Sequence, residues 1–180
     1  FSYVGYEQNG SNWWYVYGGQ VCFQATDVLP GTVGGQYGWW KVCEGKVNFD
    51  DDVCENAYGW WKITTGKVDF QYTGLAQNAC GWWMIQNGHV NFGSNGLVDN
   101  GNGWWLVKNG CVDFNYNGLV DNGNGWWLIR NGYVDFNYNG LVDNGNGWWL
   151  VKNGCVDFSY QGYVQNECGV WWVSNGQVQF

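Results

Sequence analysis

Every tryptophan in the sequence stands beside another. Trp-Trp begins at Trp13, Trp39, Trp60, Trp82, Trp104, Trp126, Trp148 and Trp171, and these doublets use all 16 indoles of the 180-residue chain. An indole offers no acid, base or nucleophile; its chemistry is stacking. An open indole face lies flat on a sugar ring or a partner surface, and its quadrupole attracts cations. Repetition along a chain turns such weak contacts into avid ones. The first indole of each doublet is therefore a candidate ligand contact, and so are Tyr72, Tyr116, Tyr138 and Tyr160 of a recurrent Tyr-x-Gly. The competing reading is structural. Open indoles in that number would aggregate, so the same rings would bury against the connector of a neighbouring unit.

Other chemistry is sparse. Asp113, Asn115, Asn117, Gly118 and Asp121 follow the opening of an EF-hand loop, and Asp135 to Asn146 repeats it. Asn124 stands where that loop needs a bidentate Glu, and Asp113 falls on an expected strand. Ordinary turn chemistry explains the same residues, so no metal or cofactor is expected. His89, the only histidine, occupies a position held elsewhere by Lys46, Lys67, Cys111 and Tyr133. With no clustered acid and base, an enzyme is not expected. The seven cysteines form no Cys-x-x-Cys pair. If units three apart are vertical neighbours, Cys43 approaches Cys111 and a disulfide between them is possible.

Something must position the indoles, and it is a repeat. The doublets recur at steps of 26, 21, 22, 22, 22, 22 and 23 residues, each followed by Gly-x-Val-x-Phe. In the clearest copy, Asn109-Gly110 separates Trp104 to Lys108 from Cys111 to Phe114. Asn-Gly between alternating apolar runs marks a β-hairpin with a type I′ turn. That turn pairs Lys108 with Cys111, Val107 with Val112, Leu106 with Asp113 and Trp105 with Phe114. Alternation then puts Trp105, Val107, Val112 and Phe114 on one apolar face, expected to be the core. Trp104, Leu106, Lys108, Cys111 and Asp113 fall on the outer face. The residue after Tyr-x-Gly, such as Leu119 or Leu141, is expected to wedge between hairpins. Connectors 24–38 and 50–59 break the pattern.

The expected architecture is thus an all-β, elongated hairpin solenoid of eight repeats of about 22 residues, one tandem array over 1–180. Its hairpins lie near 12–23, 38–49, 59–70, 81–92, 103–114, 125–136, 147–158 and 170–180. A single unit buries too little to fold alone. The chain starts at Phe1 and stops at Phe180, the same point of the repeat, which reads as a segment of a longer array.

Composition narrows the partners. Aromatics make up 21% of residues and charged residues 12%, and the net charge is −8. No basic stripe suits nucleic acid, and no apolar run approaches the roughly 20 residues needed to span a membrane. Scattered cysteines suit an oxidising compartment.

The unit resembles the choline-binding and cell-wall-binding repeats of Gram-positive surface proteins. It is also similar, more distantly, to glucan-binding repeats and to clostridial toxin C-terminal repeats. Gly-Trp-Trp matches their aromatic pair, Asn-Gly their turn, and Tyr72-Thr73-Gly74-Leu75 the segment that follows. The resemblance implies a secreted or cell-surface, non-catalytic module that binds cell-wall polymer or glycan through aromatic clefts between hairpins. The alternatives are a stalk or self-assembling fibre and a repeat that binds a host protein or receptor. One departure matters. Where choline-binding repeats place a third tryptophan, this chain has Leu75, Leu97, Leu119, Leu141, Tyr6 or Tyr163. The resemblance therefore carries the fold here, and a choline cage would lack one wall.

Overall fold

The computed structural model describes residues 2–180; Phe1, read above as the phenylalanine of a preceding copy, lies outside them. Among the described residues there are 24 strands and no helix. The chain is an all-β solenoid of stacked hairpin repeats, as its sequence pattern requires. The described residues pack as two compact units: one runs up to Ser94 and takes in Asn109–Cys111, and the other is Asn95–Lys108 with Val112–Phe180.

Each copy contributes three strands. In the sixth these are Gly118–Asp121, Trp126–Arg130 and Tyr133–Val134. The doublet strand lies in the middle. Leu119 faces Leu128 and Val120 faces Trp127 on one side. Ile129 faces Val134 and Arg130 faces Tyr133 on the other. The second set is the register that the Asn-Gly turn imposes. Asn131 at φ 50° and Gly132 at φ 76° give the two left-handed residues of that turn.

The predicted hairpin is longer than the real one. After two pairs the return strand keeps one more bond, from the Asp135 N–H to the Leu128 carbonyl at 2.9 Å. The chain then turns away, and Trp127 meets Phe136 only ring to ring. The longer pairing belongs to the connectors, which are strands. Even the irregular ones comply: Asp27–Val33 pairs with Gln36–Cys43, and Asp52–Asn56 with Gly59–Thr64.

The valine or isoleucine pair beside each turn is the core. Ile129 and Val134 are both fully buried, contributing roughly 1.5–3 kcal/mol each in transfer free energy. The division into an inner and an outer face does not hold. Leu106, expected outside, is only 3% exposed, whereas Phe114, expected inside, is 40% exposed. The reason is stacking on both faces. In the second unit Leu106 and Trp104 of one copy pack on Ile129, Val134 and Trp127 of the next. Leu128 and Trp126 pack in turn on Val151, Val156 and Trp149. In the first unit Val53 and Trp60 pack on Ile85, Val90 and Trp83. A strand between two neighbours is covered on both faces over most of its length, and only its turn-proximal Lys or Arg reaches water. Leu119 and Leu141 join these seams as expected, but Tyr163 is 71% exposed.

Backbone bonds clamp each seam. The Leu106 N–H donates to the Gly132 carbonyl at 2.8 Å, and the Gly132 N–H donates to the Tyr116 carbonyl at 3.0 Å. Lys62, Gly88 and Tyr72 repeat this in the first unit, at 2.8 Å for both bonds. The turn glycine is therefore required twice over. Its φ is left-handed, and a Cβ on Gly132 would sit 2.5 Å from the Asp113 carbonyl oxygen.

The last copy is shifted. Asn175-Gly176 pairs Ser174 with Gln177 and Val173 with Val178. Counting back from that turn, Trp171 occupies the position of Trp127 and Trp149, not that of a first indole. Val170 stands where the other copies have their first tryptophan. The turn, rather than the doublet, sets the register.

Candidate functional site

Strand alternation sends the two indoles of a doublet to opposite faces. The first reaches forward to the next copy, and the second meets the phenylalanine of its own copy. In the regular seams three rings therefore converge. Trp104 lies 5.4 Å from Trp127 at 48° and 6.2 Å from Phe136 at 86°, and Trp127 lies 5.6 Å from Phe136 at 69°. Trp126, Trp149 and Phe158 repeat the corner at 4.9, 5.7 and 5.8 Å. In the first unit Trp60, Trp83 and Phe92 do so at 5.1, 6.2 and 5.9 Å. The planes are steeply inclined, as in the corner of a box. The phenylalanine is its open wall: Phe136 is 36% exposed and Phe92 46%. The sequence pattern puts these phenylalanines in the core. Their position at the very end of the return strand was the available signal that they fray outward.

The remaining first indoles are placed less regularly. All are half-buried. Trp39 packs on Trp61 at 6.1 Å and on Tyr58 at 5.4 Å. Trp13 joins the cluster of Trp40 and Val42. Trp148 packs on Trp171 at 6.4 Å. Trp82 is half-buried like the others. None is the freely exposed ladder rung expected of an outer face.

The glycine that precedes six of the eight doublets has its own cause. A side chain from the next return strand crosses over it: Tyr133 lies over Gly103, and His89 over Gly59. Both glycines have positive φ, 149° and 137°. His89 also stands edge-on to Trp61, with ring centroids 4.9 Å apart. Its role is to pack on the second indole. That explains why its position accepts lysine, cysteine and tyrosine elsewhere.

The second indoles divide by their N–H groups. Trp61, Trp83 and Trp171 donate to Asn56, Asn78 and Asn166 Oδ1, each at 2.9 Å. The Trp127 and Trp149 Nε1 atoms are buried without an acceptor. Their equivalent amides, Asn122 and Asn144, accept the Asn124 and Asn146 N–H groups at 3.0 Å, as Asn56, Asn78 and Asn166 accept the Tyr58, Cys80 and Cys168 N–H groups at 2.9 Å, but they do not take up the indole as well.

The tyrosines are occupied from within. Tyr116 and Tyr138 donate their hydroxyls to the Leu119 and Leu141 carbonyls, at 3.2 and 3.1 Å. Tyr72 does the same to Leu75 at 2.7 Å, and Tyr160 to Tyr163 at 3.0 Å. Their faces carry the protein's own cations: Lys108 sits 4.2 Å over Tyr116, Arg130 4.5 Å over Tyr138 and Lys152 4.3 Å over Tyr160. Lys62 lies 5.7 Å over Tyr72. The first three cations also ion-pair with Asp113, Asp135 and Asp157. The hydrogen bond from Lys108 holds the Asp113 carboxyl below the usual range. These rings are walls of a closed intramolecular contact.

The acidic loops are equally committed. Asp113 Oδ1 accepts from the Asn115 N–H at 3.2 Å, Asn117 Oδ1 from Asn131 at 3.0 Å, and Asp121 Oδ1 from Gly123 at 2.8 Å. Among the described residues no three His, Cys, Asp or Glu side chains gather around a point where a metal would sit. Two of these loops do line a cleft of about 510 Å3 in the second unit, with Leu97, Asp99, Trp104, Asp121, Asn122 and Asn124 among its walls. It pairs an indole with two carboxylates, a lining suited to a cation. Cys43 is an unbridged thiol, so the Cys43–Cys111 disulfide is not formed in the structure.

Residues 2–22, 71–91, 93–113, 115–135 and 137–157 each match the model of the choline-binding repeat, and together they make up more than half of the chain. No curated protein matches the sequence. Among solved structures, the chain is similar to choline binding protein F of Streptococcus pneumoniae. The two are 20% identical over 96% of this chain and 58% of that one, with a TM-score of 0.38. It is similar to CbpJ of Streptococcus pneumoniae TIGR4 at 18% identity, over 98% and 52% of the two chains, with a TM-score of 0.35. An alternansucrase in complex with isomaltononaose is 12% identical over 98% of this chain and 15% of its own, with a TM-score of 0.34. The chain thus spans a little over half the length of the two pneumococcal structures.

Proposed function

We propose, because the chain belongs to the choline-binding repeat family, that it is a non-catalytic cell-surface module holding a choline-bearing cell-wall polymer in the aromatic corners between successive hairpins. The observation that carries the reading is the convergence of Trp104, Trp127 and Phe136 from two copies on one corner. A quaternary ammonium needs electron-rich faces on several sides and no hydrogen-bond donor or acceptor. The leucines that follow Tyr-x-Gly do not supply the third wall; the phenylalanine at the end of the return strand does. Asp99 and Asp121 line a cleft that shares Trp104 with this corner, which adds attraction for a cation. Several weak corners on one chain suit a polymer that carries its ligand repeatedly.

Titration with choline chloride, followed by tryptophan fluorescence and calorimetry, tests this. Saturable binding that tetramethylammonium reproduces and glucose does not is the expected result. A response to unsubstituted cell-wall glycan with none to choline would replace choline by a sugar ligand and overturn the proposal.

A further inference from the structure

The repeats are rich in Asn-Gly, a dipeptide with a reaction of its own. The glycine nitrogen attacks the asparagine side-chain carbonyl carbon. The bond to the side-chain nitrogen breaks, and ammonia leaves with the proton. The five-membered succinimide that forms is opened by water to aspartate or isoaspartate. Glycine offers no Cβ to hinder the attack. The reaction needs a free side-chain amide and an N–H that no acceptor holds.

The sixth copy sets four such pairs side by side. Asn117 is tied at both ends, accepting from the Asn131 N–H at 3.0 Å and donating to the Asn115 carbonyl at 3.1 Å. Asn122 accepts from Asn124, and the following Gly123 N–H is held by Asp121 at 2.8 Å. Asn131 sits in the tight turn at φ 50°, and the buried Gly132 N–H is held by Tyr116 at 3.0 Å. Asn124 differs. It is exposed at the loop tip. Among the described residues neither its side chain nor the Gly125 N–H has a hydrogen-bond partner. The seventh copy repeats the contrast. Asn139, Asn144 and Asn153 are held, with Gly145 donating to Asp143 at 2.8 Å and Gly154 to Tyr138 at 3.0 Å. Asn146 and the Gly147 N–H are not.

We infer that Asn124 and Asn146 are modification sites, converting spontaneously to aspartate and isoaspartate in the folded protein while the turn asparagines Asn131 and Asn153 stay intact. The consequence falls at the functional seam. Asn124 lines the cleft shared by Trp104, Asp99 and Asp121. Each conversion there adds a negative charge to that cleft, and the isoaspartyl product lengthens the backbone just ahead of Gly125-Trp126.

The test is to hold the folded chain at body temperature in mildly alkaline buffer and follow amide loss by peptide mass spectrometry with isoaspartate detection. Trypsin cuts after Lys108, Arg130 and Lys152, which places Asn124 in the 109–130 peptide, Asn131 and Asn146 in 131–152, and Asn153 in 153–180. Loss at Asn124 and Asn146 is expected to outpace loss at Asn131 and Asn153 by roughly tenfold or more, the rate equivalent of breaking one hydrogen bond before attack. In urea the pairs converge on similar rates. The Asn124→Gln variant silences the 109–130 peptide and leaves Asn146 active. Equal rates at Asn124 and Asn131 in the folded chain, or first loss at Asn117 or Asn122, would overturn the inference.

Discussion

Trp104 turns away from its own doublet partner and rests on Trp127 of the following copy, with ring centroids 5.4 Å apart. This contact makes the seam both core and candidate binding site. It also determines which substitutions separate the two roles.

The phenylalanine wall separates them best. Phe136 is the most open of the three rings and lies outside the valine core. Phe136→Ala is expected to weaken choline binding by on the order of tenfold per corner, with an unchanged circular dichroism spectrum. Trp104→Ala loses binding and stability together. Paired titration and urea melts read the difference. Binding unaffected by Phe136→Ala would remove phenylalanine from the site.

Two glycines with nearly the same φ should respond differently. Gly123, at φ 83°, has open space where a Cβ would go, whereas Gly132, at φ 76°, has the Asp113 carbonyl there. Gly123→Ala is expected to cost about 1 kcal/mol, the left-handed penalty alone. Gly132→Ala should cost roughly 2–4 kcal/mol, because the clamp between copies must open as well. Urea midpoints of the two variants check the ranking.

Ile129 is fully buried, between the preceding copy's Leu106 and its own Val134. Ile129→Ala should destabilise the protein by about 2–5 kcal/mol. Ile129→Val should cost well under half of that, and chemical denaturation distinguishes them.

Acid should loosen the Lys-Asp-Tyr contacts. The hydrogen bond from Lys108 holds Asp113 low. Those from Ser159 and Lys152 do the same for Asp157. A carboxylate whose pKa is depressed by folding stabilises the fold above its unfolded value, about pH 4. That stability is lost as pH falls through the lower folded value. Carboxyl chemical shifts of Asp113 and Asp157 should therefore titrate below those of an unstructured aspartate. The contribution to stability should be flat above about pH 5 and decline below pH 4.

The thiols should react unevenly. Burial, reinforced by neighbouring Asp52, pushes Cys54 up to about 12, so little thiolate exists at neutral pH. Cys80 and Cys168 are exposed. Iodoacetamide at mildly alkaline pH is expected to label Cys80 and Cys168 first and Cys54 last, as read by peptide mapping. Early labelling of Cys54 would contradict its burial.

Much of this molecule was legible as a string. The Asn-Gly turns, the valine pairs beside them and the spacing of the doublets required stacked hairpins, because only a type I′ turn and a two-residue period satisfy them together. Where the structure departs from that pattern, the cause is mostly a neighbouring copy. The pattern puts Leu106 outside and Phe136 inside, because one hairpin has one buried face; between two copies it has two. Trp171 reads as a first indole from the doublet, but the Asn175-Gly176 turn makes it a second one. The tyrosines looked open because the cations that cover them, Lys108 and Arg130 among others, come from elsewhere in the repeat.

Local chemistry therefore settled the repeating unit: its turns, its register beside each turn and its need for neighbours. Those follow from φ preferences and side-chain alternation, which act within a few residues. Stacking decided which indole meets which phenylalanine, and so where a ligand finds three walls. That contact joins residues of different copies, and no pattern within a single copy encodes it.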